Sequence, residues 1–314
     1  MSLGDVTYEL DGQRHTLGDF LARPSQIGFI VVKDGTVLLE RYAKGNTRAS
    51  RWVSFSVSKS VTSMLIGAAI QDGFIKSVDE PVTRYLSRLR GTGYEGVSIK
   101  DVLQMSSGIA WNEDYADSQS DVARAGASNG SKLVTYLGKL DRAHPPGKVF
   151  NYNTGETNLV GEILRAATGE SASTYLTNKI WQPFGMEADG NWLLSRSGGE
   201  LGGCCISATL RDYARIGLFA MNDGVLPDGT RVLPEGWMTE STTPSKGASF
   251  YGYLWWLNAD GTYTARGIFG QHIYIDPANK VVIAVHSNTP AAVGTAYHKH
   301  LDRVVPAVAA AVAN

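Results

Sequence analysis

Cysteine is nearly absent from this chain of 314 residues: there are two, and they are neighbours, Cys204 and Cys205. Neighbouring cysteines rarely bridge, so no disulfide framework is expected to hold the fold. An excess of one charge is missing as well. The 29 Lys and Arg residues nearly balance 30 Asp and Glu, for a net charge of −1, and no basic run occurs. That balance excludes the electrostatic signature of a nucleic-acid or acidic-membrane binder. No apolar run is long enough to span a bilayer. The longest uncharged helical stretch, Ser60 to Gln71, has the length of a buried core helix. Met1-Ser2-Leu3-Gly4 shows no charged-then-apolar leader, which leaves cytoplasmic and periplasmic locations both open. The six histidines, His15, His144, His272, His286, His298 and His300, show no metal-ligand spacing.

What is present describes a water-soluble globular protein with a sizeable core: 43% of residues are hydrophobic and 19% charged. Two β-rich runs within Gln26 to Tyr42 flank Lys33-Asp34-Gly35, a hairpin signal. Ser54 to Asp72 reads as a helix apolar nearly all round, ended by Gly73, and such a helix belongs in the middle of a protein. Strand signals then thin out. Helical patterns at Ile99–Met105, Ser131–Leu140, Thr157–Thr168 and Ala172–Ile180 alternate with loops, and a further helix is expected over 206–222. Short strands follow at Tyr251–Leu257, Thr262–Ala265, His272–Asp276 and Val281–His286, then a last helix, Thr295–Ala313. Strands from both ends with helices between predict an α/β fold: a mainly antiparallel sheet flanked by helices. The expected division is a sandwich of residues 1–75 and 201–314 with a mostly helical lobe of residues 76–200. No signal for oligomeric state stands out.

The most informative residues are Ser56 and Lys59, in Phe55-Ser56-Val57-Ser58-Lys59-Ser60. Three apart, they share one helix face. A serine hydroxyl is a poor nucleophile until a base takes its proton, and a lysine held neutral can be that base. The first turn of a helix also favours developing negative charge. A second element is Pro145-Pro146-Gly147-Lys148-Val149-Phe150-Asn151-Tyr152-Asn153-Thr154-Gly155, a turn that delivers a polar run into a helix start. Tyr152 would project from it, and close to two ammonium groups its proton would be lost more easily. The plainer alternative is a core tyrosine capping the Thr157–Thr168 helix.

Taken with Gly73-Phe74-Ile75-Lys76-Ser77-Val78-Asp79-Glu80-Pro81-Val82 and Ile99-Lys100-Asp101-Val102-Leu103-Gln104-Met105-Ser106-Ser107-Gly108-Ile109, these segments resemble the class C β-lactamase/D,D-peptidase/esterase superfamily. Trp111-Asn112-Glu113-Asp114-Tyr115 and Gly267-Ile268-Phe269-Gly270-Gln271-His272 resemble the 6-aminohexanoate-dimer (nylon-oligomer) hydrolase group in particular. The resemblance covers about residues 25 to 300. It implies a β-lactamase/transpeptidase-like fold and a serine acyl-enzyme mechanism on a small ester or amide substrate, with no cofactor or metal. It implies Ser56 as nucleophile, Lys59 as base and Tyr152 as proton shuttle, with the N–H groups of Ser56 and Ile268 as oxyanion hole. Tyr115, Thr154 and Gly267 would face substrate, Tyr115 by bonding a scissile amide nitrogen; an ordinary loop aromatic is the other reading of Tyr115.

Two departures bear on substrate. The superfamily often carries Asn where Thr154 stands, and Lys-Thr-Gly or His-Thr-Gly where this chain has Ala265-Arg266-Gly267. The cation that helps hold a β-lactam carboxylate is missing, and Arg266 has the wrong strand parity to replace it simply. A true β-lactamase or D,D-peptidase, and a penicillin-binding module that acylates without turnover, remain the competing readings. Gly126-Ala127-Ser128-Asn129-Gly130 matches a nucleophile elbow in letters, but polar loop precedes it where a strand is required. The glycines around Gly198 to Gly203 read as a backbone turn beside the pocket. Glu113, Asp114, Asp117 and Asp121 could repel an anionic substrate or receive a cationic one, a solvated loop being the plainer reading; His298 could reach the pocket rim, a surface histidine being the plainer reading.

Overall fold

Asp34 and Gly35 both take left-handed backbone, with φ of 48° and 77°. That geometry makes a tight turn joining the strands Gln26–Lys33 and Thr36–Tyr42. The computed structural model describes residues 3–313; the leader reading at Met1 and Ser2 lies outside them. Gln26–Lys33 is buried on both faces. Its odd residues Phe29 and Val31 enter one apolar cluster, and its even residues Ile30 and Val32 enter the other.

This hairpin forms one edge of a six-stranded antiparallel sheet. In spatial order the strands are Thr36–Tyr42, Gln26–Lys33, Val281–Ser287, His272–Asp276, Tyr263–Arg266 and Trp256–Leu257. The C-terminal helix Ala296–Ala313 covers one face with the short helix Leu17–Leu21. The helices Val57–Gln71 and Leu210–Met221 share the cluster on the other face. Between residues 76 and 200 the chain is helices and loops, with one two-residue strand, Asn191–Trp192. No helix among the described residues is long and apolar enough to cross a membrane.

Of the expected elements whose edges move, three show the cause. Residues 206–222 open with a strand, Ile206–Thr209, before helix Leu210–Met221, because Thr209 caps that helix by accepting from the Asp212 N–H. The Tyr251–Leu257 strand shrinks to Trp256–Leu257, since Leu254 has φ 60° and breaks the extended run. The helix expected from Thr157 starts at Thr154, where the Asn153 side chain accepts from the Glu156 N–H as the cap. The sulfurs of Cys204 and Cys205 are in contact, which joins no separate parts of the chain.

Candidate active site

A short strand aims Ser56. Arg51–Val53 pairs with Ile206–Thr209, and Ser54 extends the pairing, donating its N–H to the Ile206 carbonyl at 2.8 Å. Phe55 then takes φ 44°, a conformation that bulky residues rarely adopt. The reversal delivers Ser56 to the N-cap of the central helix Val57–Gln71. Ser56 makes no capping bond, so its hydroxyl is not consumed by the helix. Buried hydroxyls further along tie the helix to surrounding loops. Ser60 donates to the Leu254 carbonyl and Thr62 to the Gly202 carbonyl, each at 2.6 Å.

Lys59 lies one turn after Ser56 and is 1% exposed. Its Nζ donates to the Gly203 carbonyl at 2.7 Å and to Thr154 Oγ1 at 3.1 Å, and it sits 5.3 Å from the centre of the Tyr152 ring. Burial lowers its pKa from 10.5 to about 8, against an opposing pull from Glu113. Gly203 is what allows the approach: a Cβ there would lie 3.0 Å from the Thr154 carbonyl and 3.1 Å from Lys59 Nζ. The glycine run is thus a backbone turn against the site.

Tyr152 stands in the loop just before helix Thr154–Thr168, its ring stacked on Trp256 at 5.8 Å. Burial pushes its phenol well above the usual range, contact with the Ser56 hydroxyl opposes that shift, and Glu113 adds to it. This corrects the expectation of an easily lost proton. Lys59 is the one ammonium against the ring among the described residues, and desolvation is the largest influence on the phenol. Tyr152 therefore rests as a neutral phenol, able to give a proton.

Glu113 was read as solvated, and the structure reverses that reading. Its carboxylate is half-buried and accepts from four donors. Oε2 takes the Trp111 indole N–H and, at 3.0 Å, the Thr154 N–H. Oε1 takes the Thr154 hydroxyl and, at 2.8 Å, the Tyr115 hydroxyl. Thr154 thus stands between Lys59 and Glu113. Tyr115 lies at the rim, 40% exposed, its phenol held well above the usual range by burial of the hydroxyl, then by Glu113 and Tyr152. The other acids of this loop do serve local structure: Asp121 accepts from the Asn112 N–H and the Tyr136 hydroxyl, and Asp114 and Asp117 close short turns.

Gly267 and Ile268 follow the strand Tyr263–Arg266. A Cβ on Gly267 would lie 2.6 Å from the Ser54 carbonyl, and the Phe269 ring packs edge-on against Phe55 at 4.7 Å. These contacts bring the loop beside Ser56. Among the described residues neither the Ser56 nor the Ile268 N–H has an acceptor. His298 is no free surface histidine: its Nδ1 accepts from the Thr295 N–H, so Nε2 carries the proton and donates to the Ile268 carbonyl at 3.2 Å. Arg266 turns to the C-terminal helix, pairing with Asp302 at 3.1 Å. Ser128 is buried after the short helix Asp121–Ala125 with no strand leading into it, so the elbow context is absent. Among the described residues no cluster of His, Cys, Asp or Glu could hold a metal ion.

Helices flanking an antiparallel sheet, with Ser56, Lys59 and Tyr152 gathered beside it, are the features of a hydrolase of β-lactamase fold. The chain belongs to the beta-lactamase family, whose model matches residues 14–305. It is 31% identical over 290 residues to the 6-aminohexanoate-dimer hydrolase of Paenarthrobacter ureafaciens, across 83% of this chain and 72% of that protein. Among solved structures it resembles a Bacillus anthracis protein provisionally described as a 6-aminohexanoate-dimer hydrolase, with TM-score 0.84 and 24% identity over 100% of this chain and 85% of that one. It also resembles a family VIII carboxylesterase, with TM-score 0.70 and 15% identity over 90% and 92% of the two chains. A penicillin-binding protein from Bacillus halodurans gives TM-score 0.74 and 16% identity over 95% and 100%. At these identities the structural likenesses speak for the fold.

Proposed function

We propose that the protein hydrolyses linear amide or ester bonds through a covalent acyl-enzyme on Ser56. The observation that carries this reading is Lys59: buried one turn from Ser56, anchored to Gly203 and Thr154, with its pKa brought down to about 8. In the proposed step Lys59 takes the Ser56 proton as Oγ bonds the substrate carbonyl carbon. The oxygen that becomes negative is received by the free N–H groups of Ser56 and Ile268; one such donor contributes about 3 kcal/mol. As the bond to the leaving group breaks, neutral Tyr152 gives it a proton and is reprotonated from Lys59. Water then releases the acid by the reverse exchange. Tyr115 bonds the leaving nitrogen, and Thr154 and Gly267 shape the substrate side.

The curated relative's name, a hydrolase of 6-aminohexanoate dimer, supports the amide arm, and the carboxylesterase fold supports the ester arm. Recognition of a β-lactam carboxylate is disfavoured because Ala265 stands where the superfamily often has a cation, and the Arg266 side chain turns toward Asp302 on the C-terminal helix. The test is a panel of esters, linear amides, D-amino-acid amides and β-lactams, with mass spectrometry of the trapped adduct. An acyl group on Ser56 and faster turnover of esters or linear amides than of any cephalosporin are expected. A label on Ser58 or Ser128 sinks the assignment. Tyr152→Phe keeps the stack on Trp256 and is expected to lower kcat by about 10²–10⁴; unchanged kcat removes Tyr152 from the mechanism.

A further inference from the structure

We propose that Glu113 is a positioning residue that fixes the direction of two hydroxyl protons, on Thr154 and Tyr115, and thereby aims the base and favours amide substrates. The inference rests on the Ser56 acyl-enzyme reading and deepens it. A carboxylate can only accept, so both hydroxyls on Oε1 must donate to it. Each hydroxyl has one proton, and each then has only lone pairs to offer elsewhere.

For Thr154 the consequence falls on Lys59. Thr154 Oγ1 must accept from Nζ, and the Gly203 carbonyl can do nothing else. A neutral amine has two N–H bonds. With both held by Thr154 and Gly203, its lone pair is left free for the proton of the nucleophile. For Tyr115 the consequence falls on substrate. Its oxygen, at the rim, can only accept, and an amide leaving group brings an N–H for it to accept. An ester brings none. This also accounts for the departure from Asn at position 154: the hydroxyl works as a pair with Glu113, two loops away in sequence.

Glu113→Gln tests the idea at constant shape. The Trp111 indole and the Thr154 backbone N–H are obligate donors on Oε2. The glutamine oxygen must take that place, which puts its NH2 where Oε1 was. Both hydroxyls are then forced to accept, and their protons swing outward. Thr154 now offers a proton to the Lys59 lone pair, and Tyr115 points an O–H at the substrate N–H.

The measurement is kcat/KM against pH for a matched linear amide and ester, on the native protein, Glu113→Gln, Tyr115→Phe and the double variant. In Glu113→Gln the amide-to-ester ratio is expected to fall about tenfold, the equivalent of one hydrogen bond. Ester hydrolysis should fall too, with its acid limb moved to lower pH, because Lys59 loses both an acceptor and a nearby negative charge. In the Tyr115→Phe background Glu113→Gln should leave the ratio unchanged. Equal losses for amide and ester with an unmoved acid limb would overturn the proposal and leave Glu113 as packing. If Glu113→Gln does not fold, Tyr115→Phe and Thr154→Val divide the effect between them: the first should change the ratio and leave the acid limb in place, the second should slow amide and ester alike and move the acid limb with the ratio unchanged, and any other division overturns the proposal. Native turnover of esters without amides also overturns it. Failure to acylate Ser56 at all removes the underlying mechanism instead.

Discussion

Lys59 must be neutral to accept a proton, so its ionisation should be written on the rate. With a pKa of about 8, roughly one lysine in ten is neutral at pH 7 and one in a hundred at pH 6. The kcat/KM of an ester with no ionisable group of its own is expected to fall about tenfold per pH unit below 8. The same shift has a stability side. The folded pKa lies below the ordinary 10.5, so between pH 8 and 10.5 the unfolded chain binds a proton that the folded chain does not, and stability rises with pH across that window. Below it, the folded protein carries a buried cation at a cost of about 3 kcal/mol. Lys59→Met removes that cost but leaves Thr154 and the Gly203 carbonyl without their donor, a loss of about 1–2 kcal/mol. The balance is a protein about 1–2 kcal/mol more stable at pH 7 and unable to acylate, with no stability rise between pH 8 and 10.5. Denaturant titration at several pH values and a pH–rate profile read both halves. A flat profile from pH 6 to 9, or a Lys59→Met variant less stable than native at pH 7, refutes the account of a desolvated base.

Glu156 offers a second ionisation with the opposite sign. Burial raises its pKa from 4.5 to about 8, so stability should fall as pH rises through that window, by on the order of a few kcal/mol. Glu156→Gln should flatten the dependence, and thermal melts at pH 5 and pH 8 measure it. Gly203→Ala places a methyl 3.1 Å from both Lys59 Nζ and Asn158 Oδ1. It is expected to cost about 1–3 kcal/mol of stability and to lower ester turnover by more than it raises KM; full activity would show that the glycine is not what admits the lysine.

Much of the framework was legible because it is local. The Asp34-Gly35 turn, the all-round apolar helix after Ser56, and the strand leading to Gly267 each announce themselves within a dozen residues. Ser56 and Lys59 were legible for the same reason, being one helical turn apart. Glu113 was not. Its neighbours Asp114, Asp117 and Asp121 give the segment the look of a solvated loop, while its true partner Thr154 is 41 residues on. The available hint was one departure, a threonine at position 154 where the superfamily often has asparagine. Tyr152's acidity was misjudged because proximity to a cation can be guessed from a motif, whereas desolvation depends on how Trp256 and Tyr251 close around the ring. The strand Ile206–Thr209 was hidden by its length; four residues before a strong helix do not show a period.

At the centre of the sheet Val31 faces Ile283, which leaves the ribosome 252 residues later. At about 5–20 residues per second, that interval is roughly 10–50 s. Throughout it, the first hairpin has an open inner edge and the helix Val57–Gln71 has no sheet to lie on. Closure of the sheet therefore waits on one late strand. A growing chain of this protein is expected to depend on protection of its apolar helix until Val281–Ser287 arrives to close the gap.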